Sequence, residues 1–529
     1  MGVVQGTSPA QHGVMDAESM LGGLLPSGSV YAFLAEHRER LFPDAMFADL
    51  FPSRLGRPSE PADVVAAVLV LQALQGLSDR EAVEALSFDL RWKAACGWRV
   101  DRPGFHPTVL TYWRRRLAAS DRPNRIFDAV RQVVAATGAL SGKTRRALDS
   151  TVLEDAVATQ DTITQLIAAI RRVARLLPGG AELVAAHATA SGHDYTQPGK
   201  PRIAWDDQAA RAALVDALVR DATAVLAAIE EAGPPPEGPA ADAVGLLALI
   251  AGQDVEHVPD PDEPEGGGRW RIARRVAEDR VISTVDPDAR HAHKTRHRGI
   301  DGFKAHLVVE PDTGLITGCA LTKASGPDTG DAGVGLGLLA TDDSTTGPIE
   351  VLGDSAYGTG AMLAALAATG HTALIKPWPQ HSLIPGGFTA ADFAVDEATA
   401  MVTCPAGHTV PLGPRSRVAK FGSRCAGCPL RERCTTSSHG RSILIAEHDA
   451  LQRAHRAHAA DPDFQAAYRR HRPMVERSIA WLTRGARRVP YRGEAKNDAW
   501  WHLRAAAINL RRLLALGLTG ADGHWALAS

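Results

Sequence analysis

The chain has 529 residues, 45% of them hydrophobic and 22% charged, which suits a globular protein of several domains, and no apolar run reaches membrane-spanning length. Its start lacks a basic stretch followed by an apolar one, so no signal peptide is expected and a cytoplasmic location follows. The net charge of −2 hides two basic blocks: residues 91–147 hold thirteen Lys/Arg against three Asp/Glu, and residues 468–512 hold twelve against three, which points to a polyanion gripped at two places.

Residues 1–140 read as helical. Apolar spacing predicts a helix over 63–74 behind Ser59-Glu60-Pro61, and Ser78 with Glu81 forms a capping box that opens a second helix over 79–86. His106-Pro107-Thr108 starts a third, whose exposed side is expected to carry Arg114, Arg115 and Arg116. Helix, tight turn, helix and a later basic helix suit a helix-turn-helix-like DNA reader, and equally a plain bundle.

Residues 145–152 read as a strand that ends near Asp149. Helix-prone segments follow at 160–177 and 206–231, separated by Pro178-Gly179-Gly180 and Gly233-Pro234-Pro235-Pro236. An acidic stretch over 259–268 reads as an exposed linker. Strand signals return at 302–309, with a turn at Asp312-Thr313-Gly314 and a returning strand over 315–321. A helix over 331–339, a strand over 349–354, a helix over 360–369 and a strand over 372–376 complete an α/β pattern, a mixed sheet flanked by helices. Residues 387–445 break it with Gly, Pro and Cys. Helix resumes at Asp461-Pro462, kinks at Pro473 toward Thr483, and a last helix covers 498–516.

Asp149 and Asp354 each end a predicted strand, where residues of such sheets line a ligand crevice. Two such carboxylates and a third from a helix would suit Mg²⁺, which takes a few carboxylates plus water and phosphate oxygens. Tyr468, Arg472 and Glu476 recur every four residues on one helix face. Arg472 there is suited to the scissile phosphate and Glu476 to metal; Glu494, beside Arg492-Gly493, is the rival glutamate. Arg484, Arg487, Arg488 and Arg492 suit phosphate contacts. Trp481, Trp500 and Trp501 are read as core, and His291, His293, His297 and His306 match no metal geometry.

Four of the six cysteines crowd into one segment: Cys404, Cys425, Cys428 and Cys434. Cys-x-x-Cys with distant partners fits tetrahedral, structural Zn²⁺, with His408 as a substitute ligand. Reduced, partly buried thiols without metal are the alternative. Cys96 and Cys319 read as core residues.

The chain resembles bacterial insertion-sequence transposases of the DDE class. The resemblance rests on Gly76-Leu77-Ser78-Asp79-Arg80-Glu81, the run from Tyr112 to Leu117, Leu148-Asp149-Ser150-Thr151, Gly353-Asp354-Ser355-Ala356-Tyr357-Gly358, and Arg472 with Glu476. Two positions depart from the family's glutamate motif: the Tyr is displaced by one, at Tyr468, and Thr483 precedes the basic Arg484. The resemblance implies an RNase H-like catalytic domain (141–155, 270–386 and 446–516), a helical N-terminal DNA-binding domain (1–140), a helical insertion with an acidic linker (156–269) and a Cys-rich, zinc-binding insertion (387–445). It implies catalytic Asp149, Asp354 and Glu476 holding Mg²⁺ or Mn²⁺. The partners implied are double-stranded DNA, as terminal inverted repeats and target, and a second copy in the DNA complex. Element ends would be cut and their 3′-hydroxyls joined to target DNA. Two other readings stand beside it: an endonuclease of the same fold that cuts without joining, and a regulator that binds DNA without catalysis.

Overall fold

The computed structural model describes residues 3–8, 15–53, 55–260, 268–275, 277, 279–295, 298–520 and 523–528. The N-terminal helices lie close to their predicted places. The apolar run forms α1 (Ala62–Gln75), closed by Gly76 in the left-handed conformation at φ 71°. Ser78 opens helix Asp79–Phe88 with both bonds of the capping box: its hydroxyl accepts from the Glu81 N–H, and the Glu81 carboxylate accepts from the Ser78 N–H. The basic helix is α2 (Thr108–Ala118). Among the described residues no single helix is long and apolar enough to cross a membrane.

Six strands form the central sheet: β1 (Arg145–Glu154), β2 (Arg290–Thr295), β3 (Arg298–Val309), β4 (Ile316–Lys323), β5 (Glu350–Gly353) and β6 (Thr372–Ile375). β1 is central, antiparallel to β3 on one side and parallel to β5 on the other, and β6 extends the parallel edge. β4 pairs with β3 over Phe303–Val309, while β2 pairs with its beginning. Gly302 meets Glu154 on one flank and Arg290 on the other, so β2 and β4 follow one another along the same edge of β3. Gly302 is needed there: at φ 154°, a Cβ would come 2.0 Å from the Leu153 carbonyl oxygen. The tight turn between β3 and β4 is held by buried Glu310, whose carboxylate accepts from the N–H groups of Asp312 and Thr313.

The pleat of β1 divides its side chains between two cores. Ala147 and Leu153 join a large core shared with the N-terminal helices and the last helix; Leu148 joins Val308, Val351, Tyr357 and Ile375 on the other face. That last helix, α3 (Glu494–Ala515), begins one turn earlier than the sequence suggests. Asp286 and Asp288 explain this, since their carboxylates accept from the Gly493 and Glu494 N–H groups at the helix start. α1 packs along α3, so the helical N-terminal part and the sheet share one core across residue 140. Trp500 and Trp501 are buried as expected, with the Trp501 indole donating to the His306 carbonyl.

The segment between β1 and β2 is a helical body with its own apolar core, from Ile163 to Val281. Its expected helices are α4 (Thr162–Leu176) and α5 (Gln208–Glu231); Gly180–His187 and Gly238–Gln253 add two more that the sequence reading missed. The expected acidic linker is partly a hairpin, Val255–Pro259 paired with Gly268–Ile272, while 261–267 lie outside the described residues. Asp221 of α5 is fully buried and accepts from the Ala190 and Ser191 N–H groups, the Ser191 hydroxyl and the Tyr195 hydroxyl. The region after β6 holds three short antiparallel strands from Ala394 to Pro411 and a pair, Val418–Lys420 with Ser442–Leu444, around Phe393, Val402, Phe421 and Ile443. Asp221→Ala strands those four donors, so the helical body is expected to lose about 1–3 kcal/mol. Urea unfolding would check this, and an unchanged midpoint would contradict it.

Candidate functional site

The register of the parallel strands brings the two strand aspartates together. The β1–β5 ladder pairs Arg145 with Glu350 and Ala147 with Leu352; Asp149 and Asp354 each lie two residues beyond that last pair, Asp354 just past the end of β5, and the Asp354 charge acts on Asp149. Asp149 does not end its strand, as the sequence suggested, because β1 continues to Glu154 under the cover of β3. β5 does end at Gly353, so the crevice opens beside Asp149 rather than beyond it.

Asp354 caps the turn that follows, its carboxylate accepting from the Ala356 N–H at 2.9 Å. Tyr357, 1% exposed, folds back beneath it: a Cβ on Gly353 would lie 3.0 Å from the Tyr357 Cβ. The glycine before Asp354 is therefore a packing requirement of the tyrosine three residues after it.

The helical partner comes from α6 (Pro462–His471) and α7 (Pro473–Thr483). Asp461 caps α6, with Pro462 in its first turn as predicted; Arg472 between the two helices is itself helical, at φ −56° and ψ −39°. A further helix, Asp449–Ala459, precedes them and was not legible. Arg472 is 5% exposed. Its guanidinium donates to the Leu148 carbonyl, lies 3.0 Å from the Asp149 carboxylate and has its Nε 3.8 Å from Glu476, a turn further along. That Nε has no hydrogen-bond partner although it is buried. Glu476 is largely exposed over the crevice. Burial pushes the Asp149 carboxyl up, against the Arg472 cation and the Ser150 N–H, and the Asp354 charge adds to the push. Tyr468 feels Arg472, Asp354, Glu476 and Asp149 alike, so all five groups share one electrostatic neighbourhood. Among the described residues no group of three His, Cys, Asp or Glu side chains is drawn close enough to hold a metal ion.

One neighbour was missed by the sequence reading. Asp331, at the start of helix Asp331–Ala340, contacts the Lys304 ammonium at 3.3 Å and lies 3.7 Å from the buried His306 ring; its charge also acts on Tyr357. Lys304 and His306 alternate along β3 on the same face, which was the available signal. Neither is a metal ligand here; His306 bonds Thr322 at 3.1 Å. His291 pairs with Asp301, the side chain of His293 is outside the description, and His297 lies outside the described residues.

The basic residues divide. Arg115 is exposed as expected, but Arg114 and Arg116 are not displayed on a free face. Arg114 is paired with Asp79 and Gln72, and Arg116 donates to the Leu50 carbonyl. Crowding against neighbouring helices turns them inward. Arg484, Arg487, Arg488 and Arg492 are all exposed. Their segment is anchored to the end of β1: Glu154 N–H donates to the Arg487 carbonyl and Val489 N–H to the Glu154 carbonyl, each at 2.8 Å. Cys404, Cys425, Cys428 and Cys434 gather with His408 around one small cavity as free thiols. Burial pushes the Cys434 thiol up; Arg441 opposes this, and the other three cysteines add to it. The Arg441 N–H approaches the Cys425 Sγ at 3.4 Å. Cys96 and Cys319 are buried.

The mixed α/β sheet thus carries Asp149, Arg472 and Glu476 in one chain of ion pairs, near an exposed arginine segment. Two family models match the chain: residues 20–116 match the family described as Transposase domain (DUF772), and residues 403–514 match the one described as Transposase DDE domain. The two matches, one toward each end, support an insertion-sequence DDE transposase, a class that acts on DNA. The second match includes Arg472, Glu476 and the four clustered cysteines; Asp149 and Asp354 lie outside both. No curated protein and no solved structure matches the chain.

Burial pushes the His306 ring down from 6.5 to about 4, against the pull of Asp331. Between those values the unfolded chain carries a proton that the folded chain rejects, so stability rises with pH through this window and is lost as pH falls from about 6.5 toward about 4. His306→Gln is expected to flatten this loss, read as the urea midpoint across that range; equal slopes in variant and wild type would refute the assignment.

Proposed function

We propose that the protein is a DNA transposase that cleaves the ends of its own insertion sequence and joins the freed 3′-hydroxyls to target DNA. Asp149, Asp354 and Glu476 are its catalytic carboxylates. The observation that carries this reading is the ion-pair relay Asp149–Arg472–Glu476, built across 327 residues of sequence, with Asp354 just past the end of the neighbouring strand. The sheet supports an RNase H-like domain. Three antiparallel strands (β4, β3, β1) are followed by two parallel ones (β5, β6), with a helix after β4 and another after β5.

The donor set fits a hard divalent cation, since all three side chains offer carboxylate oxygens. Asp149, Asp354 and Glu476 would hold Mg²⁺ or Mn²⁺, which when bound supplies activation of the attacking water or 3′-hydroxyl and stabilisation of the leaving oxygen. Arg472 neutralises Asp149 and keeps its strand and helix in contact. Its buried Nε has no hydrogen-bond partner, which leaves one guanidinium N–H uncommitted beside the carboxylates. Arg484, Arg487 and Arg488 then hold the flanking backbone, and Arg115 serves the N-terminal helices in the same way. Terminal inverted repeats and target DNA are the double-stranded substrates, and a homodimer bridging two ends is the expected assembly.

Asp149→Asn, Asp354→Asn and Glu476→Gln should each lower cleavage and joining by about 10³-fold or more while leaving DNA binding in place. The assay uses duplexes from the sequences that flank the gene. Cutting without joining by the wild type would favour the endonuclease reading, and binding with no cleavage at all would favour a regulator.

We further propose that Cys404, Cys425, Cys428 and Cys434 hold a structural Zn²⁺, with His408 as the substitute ligand. Four soft donors around one cavity and a backbone N–H on Cys425 support it. Purified protein should carry about one zinc per chain, and Cys425→Ser should lose it and lower the melting temperature. Zinc-free protein whose melting is indifferent to chelator would end this proposal.

A further inference from the structure

The helical insertion carries a feature that the catalytic reading does not use. A cavity of about 880 Å³ opens between α4, the segment around His193 to Thr196, Thr284-Val285 and Arg492. Arg171, Arg172 and Arg175 of α4 line it from one side and Arg492 from the other. Arg171 donates to the Tyr195 carbonyl and Arg172 to the Thr284 carbonyl, each at 3.1 Å, which fixes the two side chains but leaves most of their N–H groups free. The Arg172 Nε and the His193 Nε2 are buried without a hydrogen-bond partner. Arg175 and Arg492 are exposed, and neither has a carboxylate partner among the described residues. The lining's one acid, Asp194, is already engaged by the Thr196 N–H and hydroxyl. Four guanidinium groups thus face one space with no free negative charge to balance them, and the far wall is kept in shape by buried Asp221 beneath Tyr195. Such a space calls for an anion, and for one longer than a single phosphate.

We infer that this groove is a second DNA-backbone site, through which the insertion grips the duplex away from the catalytic carboxylates; the inference rests on the transposase reading. Continuity of charge selects DNA over an acidic protein as occupant. Arg492 ends the exposed run that begins at Arg484, and that run is hydrogen-bonded to Glu154 at the end of β1. Asp149 lies five residues back along β1, ~17 Å in strand geometry. That is about five phosphates along one DNA strand. The groove takes over where this path leaves the sheet.

The test uses the full chain, divalent metal withheld, and a duplex made from the terminal sequence that flanks the gene. Each lost phosphate contact lowers the slope of log affinity against log salt by about 1, so R175A/R492A should lower it by about 2 and weaken low-salt binding at least about tenfold. R175K/R492K should restore the slope. If the wild type binds with a steep salt dependence and R175A/R492A matches it, the groove is not a DNA site and the transposase reading stands. If the wild type binds no duplex, that reading falls, and the groove with it. A lower slope for R175A/R492A without recovery in the lysine pair would also overturn the proposal, since it would trace the loss to structure and not to charge.

Discussion

Arg472 is the residue on which the geometry of this molecule turns. It sits where two helices meet, its guanidinium reaches the backbone of β1 at Leu148 and the side chain of Asp149 next to it, and Glu476 follows one turn later. A buried cation is tolerated only with a matched anion, and removing either partner of such a pair leaves an uncompensated charge in a low-dielectric interior. The contact therefore does two things at once. It ties α7, which carries Glu476, to β1, and it opposes the upward push that burial gives the Asp149 carboxyl. Pro473, which in a continuous helix would break the chain, falls at the first position of α7, where its missing N–H has no partner to lose.

The rest of the fold supports that contact from three directions. Tyr357 fills the space under Gly353 and keeps the turn after β5, which begins at Asp354, tight. α3 braces the sheet from the other face; its first turn is tied to Asp286 and Asp288, and its middle to the N-terminal helices through Arg504, which donates to the Ala73 and Leu482 carbonyls. The N-terminal helices are thus structurally continuous with the central sheet, and Arg114 and Arg116 take part in that packing.

Periodicity carried the elements whose local signal is strong. β5 and β6 read as short apolar runs with clear breakers, and the capping box at Ser78 is a local hydrogen-bond pattern that its four residues determine almost alone. The signals failed where tertiary partners decide. Nothing local tells Glu494 to begin a helix; two carboxylates some 200 positions earlier do. Asp149 read as a strand end because β5 stops beside it, yet β3 carries β1 five residues further. Asp331 looked like an ordinary helix start, and only the alternation of Lys304 and His306 on β3 turns it toward the site. The three carboxylates and Arg472 could be chosen by motif, but that Arg472 pairs with Asp149 as well as Glu476 shows only in three dimensions.

The two insertions obey one rule. β1, β5 and β6 are parallel, so their carboxyl ends lie at the same edge of the sheet. The helical body leaves from the end of β1, and the cysteine-bearing body leaves from the end of β6. Segments added at the opposite edge would extend the protein away from its carboxylates; added here, they deepen the walls of the crevice where ligands of such sheets bind. Each carries its own apolar core. On the proposed function the substrate is long, stiff and held on both sides of one phosphate, which gives a physical reason for walls at that edge; the arginines of α4 are where the helical wall turns its charge inward.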